Sequence, residues 1–260
     1  MFKKILFWLL VIVLLGVFVF SGYQLWDYFS QSHQVNSMTN ELYENYVSAV
    51  PTQTQPTQTN SSESTEESQV QETAPIVVDF ETLTEQYEDV VGWIYCADTI
   101  LNYPIAQGES NDTYLRALLD GSYNYNGTIF MDYRNRRDFT DANSIIYGHN
   151  MNTDDMFACL TEYQSQEYYD AHPYIYLLTP QNSYKLHLIA GDTVTTSNPL
   201  LRPELDGDAL DEAVQDMIEN SDFQSLSEYN GYRNVITLVT CEYDTANSRY
   251  LLVCQAERIG

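Results

Sequence analysis

The chain has 260 residues, with 37 acidic against 11 basic side chains and a formal charge of −26. Nucleic acid and other polyanions draw their affinity from clustered cations, so that class of partner is excluded. None of the four cysteines stands in a metal-type spacing, and neither a P-loop nor a dinucleotide fingerprint is present, so no cofactor and no metal is expected.

Lys3 and Lys4 precede an uncharged apolar run from Ile5 to Trp26. As a helix that run would rise roughly 33 Å, enough to cross a bilayer. A secretory signal peptide is the rival reading, but no small-residue cleavage pattern follows. Phe20, Tyr23, Trp26 and Tyr28 suit an interfacial aromatic belt. The expectation is an uncleaved signal-anchor over residues 1–26, with the lysines cytoplasmic and everything downstream outside the cell.

Residues 27–75 form a second region. Asp27 to Val50 is mixed in character and could continue the helix. From Pro51 to about Thr73 the chain is a low-complexity run of Thr, Gln, Ser and Glu with little to bury. It is expected to be disordered, a tether with a reach of roughly 25 to 30 Å.

Residues 76–260 have a different texture, short apolar strands between turn signals. Helices are predicted over Asp79–Asp89, Asn111–Leu119, Asp155–Tyr169 in two pieces, and Asp208–Ile218. The last carries a stripe of Leu210, Ala213, Val214, Met217 and Ile218. Strands are predicted over Val90–Tyr95, Ile100–Ala106, Thr128–Met131, Ser144–Tyr147, Tyr174–Leu178, Tyr184–Val194, Val235–Cys241 and Arg249–Ala256. So many short strands with inserted helices imply a mainly β, closed barrel, because closure removes exposed edges.

Two of these strands carry the chemistry. Val235–Cys241 and Arg249–Ala256 are joined by a polar, turn-prone stretch, so an antiparallel return brings Cys241 near Arg249. A cysteine attacks as thiolate and needs a base to take its proton. His149 follows an apolar strand and a glycine, at an exposed strand end of the kind active sites favour. Arg249, always charged, suits the oxyanion of a tetrahedral intermediate.

The other histidines are read as structural. His33 is membrane-proximal, His172 precedes a proline, and His187 alternates with Leu186 and Leu188 and should face solvent. Cys96, Cys159 and Cys254 lie in apolar surroundings and are read as buried, inert thiols. Asp206, Asp208, Asp211 and Glu212 faintly resemble part of a calcium loop, but an acidic helix start explains them more simply.

Thr237-Leu238-Val239-Thr240-Cys241, Arg249 and Tyr147-Gly148-His149-Asn150 together resemble the motifs of the sortases, membrane-anchored cysteine transpeptidases of Gram-positive bacteria. Gly127 to Asn135, Asp155-Met156-Phe157 and the helical insertion before the cysteine strand are similar to class B members. The resemblance implies an eight-stranded barrel with peripheral helices behind one transmembrane helix. It also implies cleavage of a C-terminal sorting motif of secreted surface proteins after threonine, with Cys241 holding the acyl group as a thioester. A peptidoglycan precursor amine would release it, and His149 would move the protons. By motif position, Asn111, Leu115, Tyr147 and Glu242 resemble groove residues around the sorting peptide. Val239 stands where some relatives have serine, and Leu200-Leu201 where some have an aromatic residue, which implies altered contacts with that peptide. A pilin-polymerising sortase and a catalytically silent surface-binding module are the alternative functions.

Overall fold

A computed structural model describes residues 2–50, 72–231, 234–241 and 247–259. Its first element is one long helix, α1 (Phe2–Tyr46). No residue of the apolar run is buried, and it qualifies by length and composition as a candidate membrane span. The helix does not stop there. Its second half packs on the body of the protein, burying Val35 and Leu42. Gln31, Ser32, Asn36 and their neighbours hydrogen-bond to loops of the barrel, so the mixed stretch after Trp26 is part of the folded unit.

After α1 come β1 (Val47–Ala49) and β2 (Ile76–Val78), paired antiparallel. Val50 N–H donates to Pro75 O at 2.9 Å, extending the ladder by one bond. Residues 51–71, most of the expected tether, lie outside the described residues, but the positions that flank them are held side by side.

Next is a short helix, α2 (Phe80–Gln86), capped by Asp79, whose carboxylate accepts from Thr82 N–H. The barrel strands follow: β3 (Val90–Tyr95), β4 (Asn102–Ala106), β5 (Phe130–Met131), β6 (Asn143–Gly148), β7 (Tyr174–Leu178), β8 (Ser183–Thr195), β9 (Val235–Cys241) and β10 (Ser248–Arg258). They close in the order β10-β8-β7-β3-β4-β5-β6-β9. Two neighbours run parallel, β4 with β5 and β6 with β9; the other pairs are antiparallel. The expected eight-stranded barrel is therefore observed. A 3-10 turn (Ala158–Gln164) and α3 (Gln166–Ala171) supply the helix predicted in two pieces.

Strand β9 shows how alternation builds two cores. Ile236 and Leu238 point into the cluster that fills the barrel, with Ile94, Leu177 and Leu252. Val235 and Val239 point outward, beneath α4 (Gly207–Glu219), whose Leu210, Ala213, Val214 and Met217 cover them. A strand buried on both faces has no solvated side, and the polar side chains of this one are two buried threonines, Thr237 and Thr240. Helix α4 lies between the sixth and seventh barrel strands, and its buried stripe is the one predicted.

One predicted helix is absent. Asn111 to Arg116 run as successive turns, and Ala117 forms a bridge with Tyr123. The carbonyls a helix would have used have partners elsewhere: Tyr114 O accepts from Thr128 N–H, and Leu115 O is taken by the His149 ring. Gly127 seals this arrangement. Its φ of +62° is left-handed, and a Cβ there would come within 2.5 Å of Tyr114 O and 2.6 Å of Leu115 O. Gly127→Ala should therefore destabilise the fold by roughly 1–3 kcal/mol, read as a lower urea midpoint at unchanged m-value.

Candidate active site

Three neighbouring strands bring the expected residues to one end of the barrel. In the β9–β10 ladder Cys241 pairs directly with Arg249. In the parallel β6–β9 ladder Gly148 pairs with Thr240, so His149 leaves β6 at the level where Cys241 ends β9. The predicted return of the strands is thus observed, and His149 joins them through a pairing between strands far apart in sequence. Strand β10 also pairs with β8, placing Arg249 opposite Val194. The Arg249 guanidinium donates to the Ser248 carbonyl at 2.7 Å.

His149 is held tightly. Its Nε2 lies 2.8 Å from the Leu115 carbonyl, which makes Nε2–H the donor in this arrangement. Its own carbonyl accepts from Phe157 N–H at 2.9 Å, and Asn150 bridges to Met156. Gly148 permits this clasp, because a Cβ there would meet the Phe157 ring at 2.6 Å. Arg116 Nη1 stands 3.4 Å from Nε2. Burial lowers the His149 pKa, the Arg116 charge lowers it further, and the Leu115 carbonyl partly opposes them. The resting imidazole is therefore neutral near pH 7.

Tyr147 and Asn111 converge on one buried carboxylate, Asp132. The Tyr147 hydroxyl donates to Asp132 Oδ2 at 3.2 Å and the Asn111 amide at 2.9 Å. Arg134 closes a fork on the same group, Nε to Oδ1 at 2.9 Å and Nη2 to Oδ2 at 3.0 Å. Burial by itself would raise the Asp132 pKa, but hydrogen bonds from Arg134 and Asn111 and the Arg134 charge outweigh it, and the net shift is downward. Leu115 and Tyr147 both pack against the cluster of Ala106, Tyr114 and Phe130. Glu242 lies outside the described residues.

Neither Asp132 nor Arg116 had an expected role. The Asp-x-Arg spacing of 132 and 134 is a visible signal for the first, since an i, i+2 pair can fork on one carboxylate. Arg116 had no such signal, because its nearness to His149 is wholly tertiary. Val239 and Leu200, expected to alter peptide contacts, are both buried in the cluster beneath α4. Their side chains pack the barrel wall, which β-alternation dictates for Val239. His187, expected in solvent, is mostly covered and pairs with Glu257 at 2.6 Å. Cys96, Cys159 and Cys254 are free and buried, and burial raises all three thiols, Cys159 to about 12. The acidic start of α4 caps its helix, Asp206 accepting from Gly207 N–H, and Asp211 accepts from the Tyr229 hydroxyl.

Residues 94–257 match the sortase domain family model. The chain belongs to the sortase family. Its relatives place it in class B: it is 31% identical to sortase B of Staphylococcus aureus over 188 residues, covering 70% of this chain and 75% of that one. It is 29% identical to sortase B of Listeria monocytogenes over 252 residues, 96% of this chain and 95% of the other. The solved Staphylococcus aureus sortase B-substrate complex superimposes with a TM-score of 0.66 at 29% identity, over 70% of this chain and 85% of that one. The sortase barrel thus carries the helical insertion α4 between its sixth and seventh strands.

Two outcomes test this geometry. Asp132→Asn should cost about 1–3 kcal/mol, since Arg134 loses its charged acceptor while the buried fork remains. In the parent, the stability that Asp132 contributes is complete above the unfolded carboxyl's pKa of about 3.9 and is lost as pH falls through the lower folded value. Comparing unfolding midpoints across acid pH should show this slope diminished in the variant. Arg116→Gln should raise the His149 pKa, read from the ring resonances in an NMR titration; an unchanged or lower value would contradict the contact.

Proposed function

We propose that Cys241, His149 and Arg249 are the catalytic residues of a membrane-anchored cysteine transpeptidase. In this reading it cleaves a C-terminal sorting motif of a secreted surface protein after its threonine and transfers the acyl group to a peptidoglycan amine. The observation that carries the reading is the strand register, which pairs Cys241 with Arg249 and ends β6 with His149 at the same level.

The chemistry starts from a neutral imidazole. His149 takes the Cys241 proton as the sulfur attacks the scissile carbonyl. Negative charge then gathers on the carbonyl oxygen, and the Arg249 guanidinium is the fixed cation that stabilises it. The tetrahedral intermediate collapses to a thioester as His149 hands its proton to the leaving amine. The incoming amine attacks the thioester, His149 accepts its proton, and Cys241 is reprotonated as the new amide forms. Before the first step the ring must release the Leu115 carbonyl, a bond that the sorting peptide would displace.

Asn111, Leu115, Tyr147 and Glu242 are the proposed groove residues. Asn111 and Tyr147 share Asp132 as anchor, which supports a common, rigid wall for the peptide. Helix α1 is the proposed anchor, a single span with its N-terminus cytoplasmic and the barrel on the outer face, supported by its exposed apolar run.

Cys241→Ala should abolish cleavage of every sorting peptide that the parent cleaves, with the fold intact by circular dichroism. Arg249→Ala should lower kcat by roughly 100- to 1000-fold. Mass spectrometry of the parent mixed with a panel of candidate peptides should give an acyl adduct on Cys241; full activity without it would refute the mechanism.

A further inference from the structure

A turn at residues 120–122 opens a short segment beside α1. The Asp120 carboxylate accepts from the Ser122 N–H at 2.9 Å and the Ser122 hydroxyl at 2.6 Å, and Gly121 is left-handed with φ +80°. Burial then alternates: Tyr123 is 68% exposed, Asn124 0%, Tyr125 41% and Asn126 1%. Tyr125 and Asn126 form a second turn, closed by Gly127 N–H donating to Asn124 O at 3.1 Å, so the two asparagines are buried and the two phenols exposed.

Asn124 and the Tyr125 backbone fasten the segment to the anchor helix. Asn124 Nδ2 donates to Gln31 O at 3.0 Å and to Gln34 Oε1 at 3.3 Å, and Tyr125 N–H donates to Gln31 Oε1 at 2.6 Å. From this clasp a cleft of about 660 Å³ runs back along α1, with Phe20, Tyr23, Gln24 and Tyr28 on one wall and Tyr123 and Tyr125 on the other. Phe20, Tyr23 and Gln24 belong to the end of the apolar run, and Tyr28 lies two residues beyond it. Phe20 lies only about 9 Å along the axis before Trp26, and a headgroup layer is roughly 5–8 Å deep. Tyrosines facing that part of the helix are therefore level with the lipid headgroups.

We propose that Tyr123 and Tyr125 form a membrane-docking surface, seated in the headgroup layer of the outer leaflet beside the anchor. The inference rests on the reading of α1 as a membrane span. Phenol rings suit this layer, with an apolar body and a polar tip. The chain is strongly acidic, so attraction to anionic lipid is not the driving force, and docking is insensitive to salt. Because β1 and β2 hold the two flanks of residues 51–71 together, that segment adds no reach between anchor and barrel. The site is held low as well: Arg116 donates to Tyr125 O, lies 4.0 Å from the Tyr125 ring centroid, and touches His149.

The test uses the full chain in phosphatidylcholine vesicles brominated at shallow or deep acyl positions. Tyr123→Trp is introduced with Trp8→Phe and Trp26→Phe, leaving the fully buried Trp93 as a constant background. Shallow bromines should quench the added indole by about twofold and deep bromines less, at low and high salt alike. Leu226→Trp in the same background, an exposed site on the β8–β9 connection, should be unaffected. Quenching at position 123 no greater than at position 226, while Trp8 of the parent is quenched, would overturn the docking surface and leave the anchor standing. Failure to quench Trp8 in the parent would remove the anchor reading and this inference together. A blue shift of the Tyr123→Trp emission in detergent on adding a sorting peptide, or on concentrating the protein, with no lipid effect, would give the surface to a peptide or a second copy and overturn the proposal.

Discussion

The parallel pairing of β6 with β9 is the constraint on which the rest depends. The six residues from Asn143 to Gly148 on one strand face Val235 to Thr240 on the other, and the ladder leaves no freedom in which residue follows at its end. A slip of one residue would turn every side chain of β9 to the opposite face, exchanging Ile236 and Leu238 in the barrel for Val235 and Val239 under α4. Both faces are buried, so both oppose the slip. The register that places His149 level with Cys241 is therefore maintained by two separate cores. Parallel strands need a long crossover, and here it carries β7, β8 and α4, which complete the barrel and cover its outer wall.

Buried polar groups fix what apolar packing leaves adjustable. Asn143 donates to Leu200 O and accepts from the Thr237 hydroxyl, tying the α4 connection to β6 and β9 at once. Asp132 gathers Arg134, Asn111 and Tyr147 from three segments. In a low-dielectric setting each lost partner is costly, so a fully satisfied cluster specifies one arrangement. The wall beside the site is rigid for that reason, and β5, only two residues long, needs the help.

The anchor helix takes part in the same scheme. Ser32 and Asn36 donate to Asp155, on the loop whose Phe157 clasps His149, while Gln31 holds the segment that rests on Arg116. Helix α1 thus supports the histidine from two sides. A helix attached only by a loose tether could not do this, and the ladder between β1 and β2 shows where the chain rejoins the body.

The strands, the α4 stripe and the motif residues were legible in the sequence because each is a local pattern: alternation, helical period, or a short run of chemistry-bearing side chains. The antiparallel return that faces Cys241 with Arg249 was legible too, since so short a polar, turn-prone stretch of sequence between two strands allows little else. The turns at Asn111–Arg116 were not, because carbonyls suited to a helix were claimed by Thr128 and His149 from elsewhere. Nor were Arg116 beside His149, the Asp132 cluster, or the docking of α1, all of which join segments far apart in the chain. The sequence by itself determined which residues could do the chemistry and which strands would carry them. Tertiary structure alone decided their alignment and the lowered pKa of His149, because register, burial and the partners of a buried group are set by distant segments packed against one another.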